Sequence, residues 1–381
     1  MSHTVFIIAG ESSGDLHGAN LARALREREP DVVLRGLGGP LMRHAGVEVV
    51  RDVTAHAAVG VSEAIASVRA VWAAYRAMVA LLDQERPDAV VLIDYPEFNL
   101  RFARQAHGRG IRVVYYICPQ VWAWRQGRVN TIARCVDRPL VILPFEREFY
   151  ARHGVEAAFV GHPLLDILRP YRHDRRFAAE VGLPTDRLIL GLLPGSRRKE
   201  IGALLPIMLE AAERIGEGLG GITVAVAPAP SVPPEQHETW KGMTRLPLHV
   251  LPGQTYPLMA GADLLLVASG TATLEAGIIG TPMIVTYKVS RLTWILGRLL
   301  VRSIRFCSLP NLIADREVVP ELLQDGLTPA TLAQRALSLA RGDGLKKMAE
   351  TLACEIRPRL GEPGASGRAA DEVVGLLRRE S

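Results

Sequence analysis

Short apolar runs of about five residues alternate along most of the chain with longer stretches in which apolar residues recur every three or four positions. A continuous run of that length fits a strand buried on both faces, and the longer spacing fits a helix with one face on a core. Strands are predicted at Val5 to Ala9, Val32 to Leu37, Ala89 to Ile93, Arg112 to Ile117, Leu140 to Leu143 and Ala158 to Val160. Helical patterns separate most of them, notably Leu16 to Arg28 and Glu63 to Glu85. The alternation breaks after Gly161-His162-Pro163, where Arg169 to Asp186 is charged and punctuated by proline. It restarts with strands at Leu188, Thr223, His249, Leu264 and Met283. Such alternation predicts α/β architecture: two Rossmann-like, doubly wound parallel-sheet domains, over 1–165 and 166–360, with ligands between them. Gly361 to Gly367 is a Gly/Pro-rich hinge before a last helical pattern, Ala369 to Arg379.

Composition narrows the partners. The 381 residues suffice for two domains with full cores, and 48% hydrophobic with 22% charged residues is ordinary for a globular α/β protein. No apolar run reaches membrane-spanning length, and the N-terminus lacks the basic flank of a signal peptide. Cys118, Cys135, Cys307 and Cys354 show no paired spacing, so reduced thiols in a cytoplasmic protein are expected. A net charge of +5 and a pI near 9.2 fit an anionic partner. Basic residues interleaved with aromatics on a strand are not apparent, so no nucleic acid is expected.

Two junctions in the second half carry the clearest chemistry. Leu193-Pro194-Gly195-Ser196-Arg197 follows the Leu188 strand, and Ser269-Gly270-Thr271-Ala272-Thr273-Leu274-Glu275 follows the Leu264 strand. Small residues there let backbone N–H groups approach an anion, and each following helix adds a partial positive charge. Arg197 can clamp phosphate, and Glu275, one turn into its helix, can accept ribose hydroxyls. Neither run is a Walker loop or a Gly-x-Gly-x-x-Gly, which points to a nucleotide held as a leaving group.

In the first half, Ala9-Gly10-Glu11-Ser12-Ser13-Gly14-Asp15 ends the first strand, and its carboxylates, Glu11 ahead of Asp15, suit a sugar better than a pyrophosphate; a helix cap with a tight turn is the alternative. Asp94 lies at the carboxyl edge of the Ala89 strand, in Ile93-Asp94-Tyr95-Pro96-Glu97-Phe98-Asn99, the usual place for a catalytic residue. Trp122 and Trp124, in Pro119-Gln120-Val121-Trp122-Ala123-Trp124-Arg125, can wall a crevice or stack on a sugar, or pack in the core. His162 can reach a cleft or brace a hinge, and Asn311 can meet a uracil edge or phosphate, or cap a helix. No His/carboxylate cluster reads as a metal site, and no Asp-x-Asp of the kind that holds a cation on a nucleotide diphosphate is found. Apolar stripes over Val59 to Leu82 and over the arginine-flanked, Trp294-bearing Ser290 to Arg302 fit either a core face or a membrane-surface contact.

These runs, with Glu200-Ile201 and Pro310-Asn311-Leu312-Ile313-Ala314, resemble lipid-A-disaccharide synthases in family order over nearly the whole chain. The resemblance implies the GT-B fold with an interdomain cleft, the donor nucleotide in the C-terminal domain, and a first domain completed by 361–381, a segment exchanged between subunits of a homodimer. It implies that UDP-2,3-diacylglucosamine and 2,3-diacylglucosamine 1-phosphate give a β-1,6-linked disaccharide 1-phosphate and UDP. The work is done without metal or other cofactor, at the cytoplasmic face of the inner membrane. Asp94 is the expected base with Glu11 second, and Arg197 the cation on the leaving diphosphate. Gly195, Ser196, Arg197, Ser269, Gly270, Thr271, Glu275 and Asn311 are the expected donor contacts. Ser13, Asp15, Gln120, Trp122, Trp124 and His162 are those for the acceptor. The chain departs from the pattern at Cys118, where serine is expected, and at Asp315, where glycine is expected. A peptidoglycan N-acetylglucosaminyltransferase, a UDP-sugar 2-epimerase and a non-catalytic nucleotide- or lipid-binding protein are the competing readings.

Overall fold

A computed structural model describes residues 2–52, 61–290, 294 and 305–378, with backbone alone for 61–68. The chain divides into two compact units, Met1–Pro163 with Gly361–Ser381, and Leu164–Leu360.

The first unit is built on seven parallel strands in the order β3-β2-β1-β4-β5-β6-β7. They are β1 (Thr4–Ala9), β2 (Val33–Gly38), β3 (Glu48–Asp52), β4 (Ala89–Ile93), β5 (Arg112–Tyr116), β6 (Arg138–Val141) and β7 (Ala158–Phe159). Strands β1 and β4 pair in register from Val5 with Ala89 to Ala9 with Ile93. Both are apolar because helices cover both faces of the sheet, and all five residues of β4 are buried. The helix Ser12–Arg28 packs against the last helix, Ala365–Arg378, through buried Ala369, Val373 and Leu377 among others. Each buried valine or leucine is worth about 1.5–3 kcal/mol. The same last helix is tied to the sheet: Arg138 of β6 makes a bidentate pair to Glu372 at 2.7 and 3.1 Å, and Arg368 donates to the Val160 carbonyl at 2.8 Å.

The second unit holds six parallel strands in the order β10-β9-β8-β11-β12-β13. These are β8 (Leu188–Leu193), β9 (Ile222–Val226), β10 (Leu248–Val250), β11 (Leu264–Ala268), β12 (Met283–Tyr287) and β13 (Glu321–Leu323). Strands β3 and β13 were not expected. Both lie at a sheet edge: β3 carries charge at three of its five positions and β13 is three residues long, so neither shows an apolar run.

Of the Val59 to Leu82 stripe, Met78 and Leu82 are core, Val71 and Val79 are half-buried, and Trp72 stays 47% exposed. The side chains of Val61, Ile65 and Val68 lie outside the described residues, as does Ser290 to Arg302 apart from Ser290 and Trp294. Asp315 takes the left-handed conformation (φ 54°) that ends the helix Leu309–Ala314, so the turn expected to need glycine forms with aspartate, which tolerates it better than most residues.

Candidate active site

Counted from its own first strand, each sheet runs 3-2-1-4-5-6, with a seventh strand following in the first unit, so each reverses direction between its first and fourth strands. Ligands of open α/β sheets bind beyond the carboxyl ends of the strands at that reversal. In the first unit the loops there are Gly10 and Glu11 after β1, opening the helix that begins at Ser12, and Asp94–Tyr95 after β4. In the second they are Pro194–Arg197 after β8 and Ser269–Gly270 after β11.

Asp94 and Tyr95 are consecutive residues in the left-handed region, φ 45° and 48°. Non-glycine residues are held there only where their surroundings enforce it. The Asn99 amide donates to the carbonyls of Ile93 (3.1 Å) and Asp94 (2.7 Å), and the Tyr115 hydroxyl donates to the Asp94 carbonyl (2.7 Å). The Tyr95 ring lies across Gly10, where an added Cβ would sit 2.1 Å from it, so only glycine lets the two loops close on each other. Burial pushes the pKa of the Asp94 carboxyl up, the Glu11 charge pushes it further, and the Tyr95 N–H opposes them. Glu11 and Ser13 are exposed on the facing turn, and the Glu11 side chain makes no cap to its helix. A carboxylate with a raised pKa at a strand end suits proton abstraction from a hydroxyl.

Other residues expected at the acceptor are placed elsewhere. Asp15 is buried and accepts from the backbone N–H groups of Gly39 (2.7 Å), Leu41 (2.9 Å) and Met42 (3.0 Å), which anchors the short helix Pro40–His44. Both its oxygens serve the fold, correcting the expectation that it meets a sugar. The Trp122 indole donates to the buried Glu146 carboxylate at 3.0 Å and stands edge-on to Phe145, so its polar atom is spent inside. Burial raises the Glu146 pKa to about 7. His162 is buried near His17 and its pKa is driven down to about 3, chiefly by burial, so it is neutral and set away from solvent. Gln120 and Trp124 are exposed.

In the second unit a groove of about 600 Å³ is lined by Gly195, Ser196, Arg197, Ser269, Gly270, Thr271 and Glu275. Gly195 has φ +101°, and a Cβ there would sit 2.1 Å from the Glu200 carboxylate, whose Oε2 accepts the Ser196 N–H at 3.3 Å. Arg197 is exposed at the start of the helix Arg198–Leu219 and makes no ion pair among the described residues. Glu275 accepts from the Tyr256 hydroxyl at 3.0 Å, and burial raises its pKa. Ser269 contributes backbone to the groove, since its hydroxyl donates to the Cys307 carbonyl at 2.8 Å.

Asn311 is not presented to this groove. It is fully buried; its amide donates to the Val319 carbonyl and the Glu321 carboxylate, both at 2.8 Å, and its oxygen accepts from the N–H groups of Val318 and Val319. All four hydrogen-bonding positions of the amide are filled, leaving none for uracil or phosphate.

The groove also recruits residues that sequence reasoning missed: Ala227-Pro228-Ala229-Pro230 after β9, Gly253 and Gln254 after β10, and Tyr171 and Tyr256. The Tyr171 and Tyr256 rings lie 5.5 Å apart, a ready wall for a base. The small-residue runs beyond β9 and β10 carried the same strand-end signal as those after β8 and β11. Among the described residues no three His, Cys, Asp or Glu side chains gather into a cation site, and no helix is long and apolar enough to cross a membrane.

Two reversal-point sites, one acidic and one built for an anion, on two Rossmann-like sheets define a GT-B protein, the architecture of many nucleotide-sugar enzymes. Solved structures agree on the fold. UDP-GlcNAc 2-epimerase from Neisseria meningitidis aligns with a TM-score of 0.63 at 11% identity, covering 99% of this chain and 100% of that one. Acinetobacter baumannii MurG aligns at 0.61 and 15% identity, covering 98% and 100%. The family profile of lipid-A-disaccharide synthetase matches residues 5–370. Lipid-A-disaccharide synthase of Syntrophus aciditrophicus is 41% identical over 99% of both chains, and that of Myxococcus xanthus is 40% identical over 98% of this chain and 97% of its own. The chain belongs to the lipid-A-disaccharide synthetase family, whose members are glycosyltransferases.

Proposed function

We propose that the protein transfers the sugar of UDP-2,3-diacylglucosamine to 2,3-diacylglucosamine 1-phosphate, forming the β-1,6-linked disaccharide 1-phosphate and UDP. The acceptor 6-hydroxyl oxygen attacks the donor's anomeric carbon as the bond from that carbon to the diphosphate oxygen breaks, with inversion. Asp94 takes the hydroxyl proton, and the electron pair of the broken bond leaves on UDP. Arg197 and the two helix N-termini beside Gly195 and Gly270 take up the charge on the leaving diphosphate, the task a metal ion performs in other enzymes, so the reaction needs no cation. Glu275 holds the ribose. The acyl chains of both substrates tie the enzyme to the cytoplasmic face of the inner membrane, where it attaches peripherally as a homodimer.

The observation that carries this reading is the family match over nearly the whole chain, joined to a raised-pKa carboxylate at one reversal point and a free arginine at the other. The test is UDP release from the diacylated donor with and without the acylated acceptor, in the presence and absence of EDTA. Release that requires the acceptor and withstands EDTA is expected. Turnover of donor alone would make the protein an epimerase or hydrolase, and inactivation by EDTA reversed by magnesium would contradict the metal-free mechanism.

A further inference from the structure

In the first unit two guanidiniums pair with one carboxylate, and a third adds its charge nearby. Glu97, three residues beyond Asp94, pairs with Arg128 at 2.5 Å and Arg125 at 3.2 Å, and its pKa is held down by Arg128 first, then Arg125 and Arg101. Arg125 lies 4.1 Å over the exposed ring of Trp124, with Arg128 5.9 Å from the same ring. The Arg125 side chain is 49% exposed, and its backbone is held left-handed at φ 54°. All these residues sit in the loops and first helical turns beyond the carboxyl ends of β4 and β5, the edge that carries Asp94.

A lone surface ion pair needs one arginine. Two paired with a single carboxylate, and a third nearby, leave positive charge over, and the planar guanidinium matches a phosphate face with paired N–H groups. Beside this cluster a small pocket of about 100 Å³ is walled by Val71, Trp72, Tyr75, Tyr95 and Phe98, with Glu97 and Arg101 also lining it. Apolar wall and cationic rim together fit an amphiphile that carries an anion.

We propose that Arg125 and Arg128, with Arg101 adding charge, form the binding site for the phosphomonoester of the acceptor. The proposal rests on the reading above that the acceptor is a sugar phosphate. In such an acceptor the reacting 6-hydroxyl, carried through C6 on C5, and the anomeric phosphate, on C1, leave the pyranose ring from the two separate carbons that flank its ring oxygen. The base and the phosphate site must then share one edge of the sheet without coinciding, as Asp94 and the arginines do. Glu97 neutralises the two guanidiniums while the site is empty and gives way to the phosphate, and Trp124 supports the face of Arg125.

The test measures affinity without turnover. Acylated glucosamine with and without the 1-phosphate is titrated into the full-length protein, the Arg125→Ala/Arg128→Ala variant and Glu97→Gln, with thermal unfolding as the control for folding. Two charge-assisted contacts predict that the wild type favours the phosphorylated ligand by about a hundredfold. The double variant is expected to lose at least about tenfold more affinity for the phosphorylated ligand than for the other. Glu97→Gln, which removes the competing carboxylate and keeps both arginines, is expected to raise the preference. It decides the matter should the double variant fail to fold.

Equal losses on both ligands, or an unchanged preference in Glu97→Gln, would overturn the proposal. A third arm separates the acceptor from the bilayer as the source of phosphate. If the double variant releases phosphatidylglycerol vesicles while keeping its preference for the phosphorylated ligand, the arginines face lipid headgroups and the proposal fails. UDP release is scored separately: its absence from the wild type would refute the glycosyltransfer reading and leave the affinity ratio to judge the site.

Discussion

The two halves share a strand order and a reversal point and differ in the charge placed there. Beyond β1 and β4 the first half sets Glu11 and Asp94, with the backbone of Asp94 forced left-handed and braced by Asn99 and Tyr115. Beyond β8 and β11 the second half sets glycine, serine, threonine and Arg197. The first arrangement raises a carboxyl pKa and repels a diphosphate; the second offers N–H groups and a cation and attracts one. In the proposed reaction one fold serves two tasks, each written in the few residues after the strands, while the apolar strands fix where those residues sit.

Substitutions at equivalent places in the two halves should therefore fail in different ways. The largest effect is expected from Asp94→Asn, which keeps the shape but accepts no proton; kcat should fall by about a thousandfold. Retention of substantial activity in a steady-state assay would move the base to Glu11 or to water. Arg197→Ala should follow, with about 3 kcal/mol of transition-state stabilisation lost, roughly a hundredfold in kcat/KM. Near-normal turnover in a folded protein would remove Arg197 from the leaving-group site.

Glu275→Gln is expected to weaken UDP binding about tenfold while slowing the chemical step less, because a ribose contact exists in ground and transition states alike. An unchanged UDP affinity would make Glu275 a brace for Tyr256 only. The smallest effect is a displacement of the pH profile in Glu11→Gln. Asp94 must be ionised to act, so activity falls as pH drops through its raised pKa. Removing the Glu11 charge removes one cause of that rise, so the acid limb of kcat/KM should move to lower pH. A limb that stays in place would show that Glu11 does not face the base.

Much of this division is legible in the chain itself. Buried parallel strands announce themselves as apolar runs, so β1, β4, β8 and β11 and the loops after them could be located. Edge strands β3 and β13 lack that run because one side of each has no neighbour to bury against. Polar residues at strand and helix ends are harder to assign. Asp15 and Asn311 read as ligand contacts, but the structure brings three backbone N–H groups to Asp15 from the 39–42 turn and two to Asn311 from Val318 and Val319, where the chain folds back past its helix. Tyr171 and Tyr256 carry no local mark, since they become a wall only when a loop and a helix far apart in sequence meet.

The central claim, that one half holds the nucleotide and the other performs the proton transfer, is tested most directly by calorimetric titration of UDP into Asp94→Asn and Arg197→Ala side by side. The account predicts wild-type UDP affinity for Asp94→Asn and a loss of about tenfold or more for Arg197→Ala, the scale of one charge-assisted contact. Equal weakening in both variants, or a loss confined to Asp94→Asn, would contradict it.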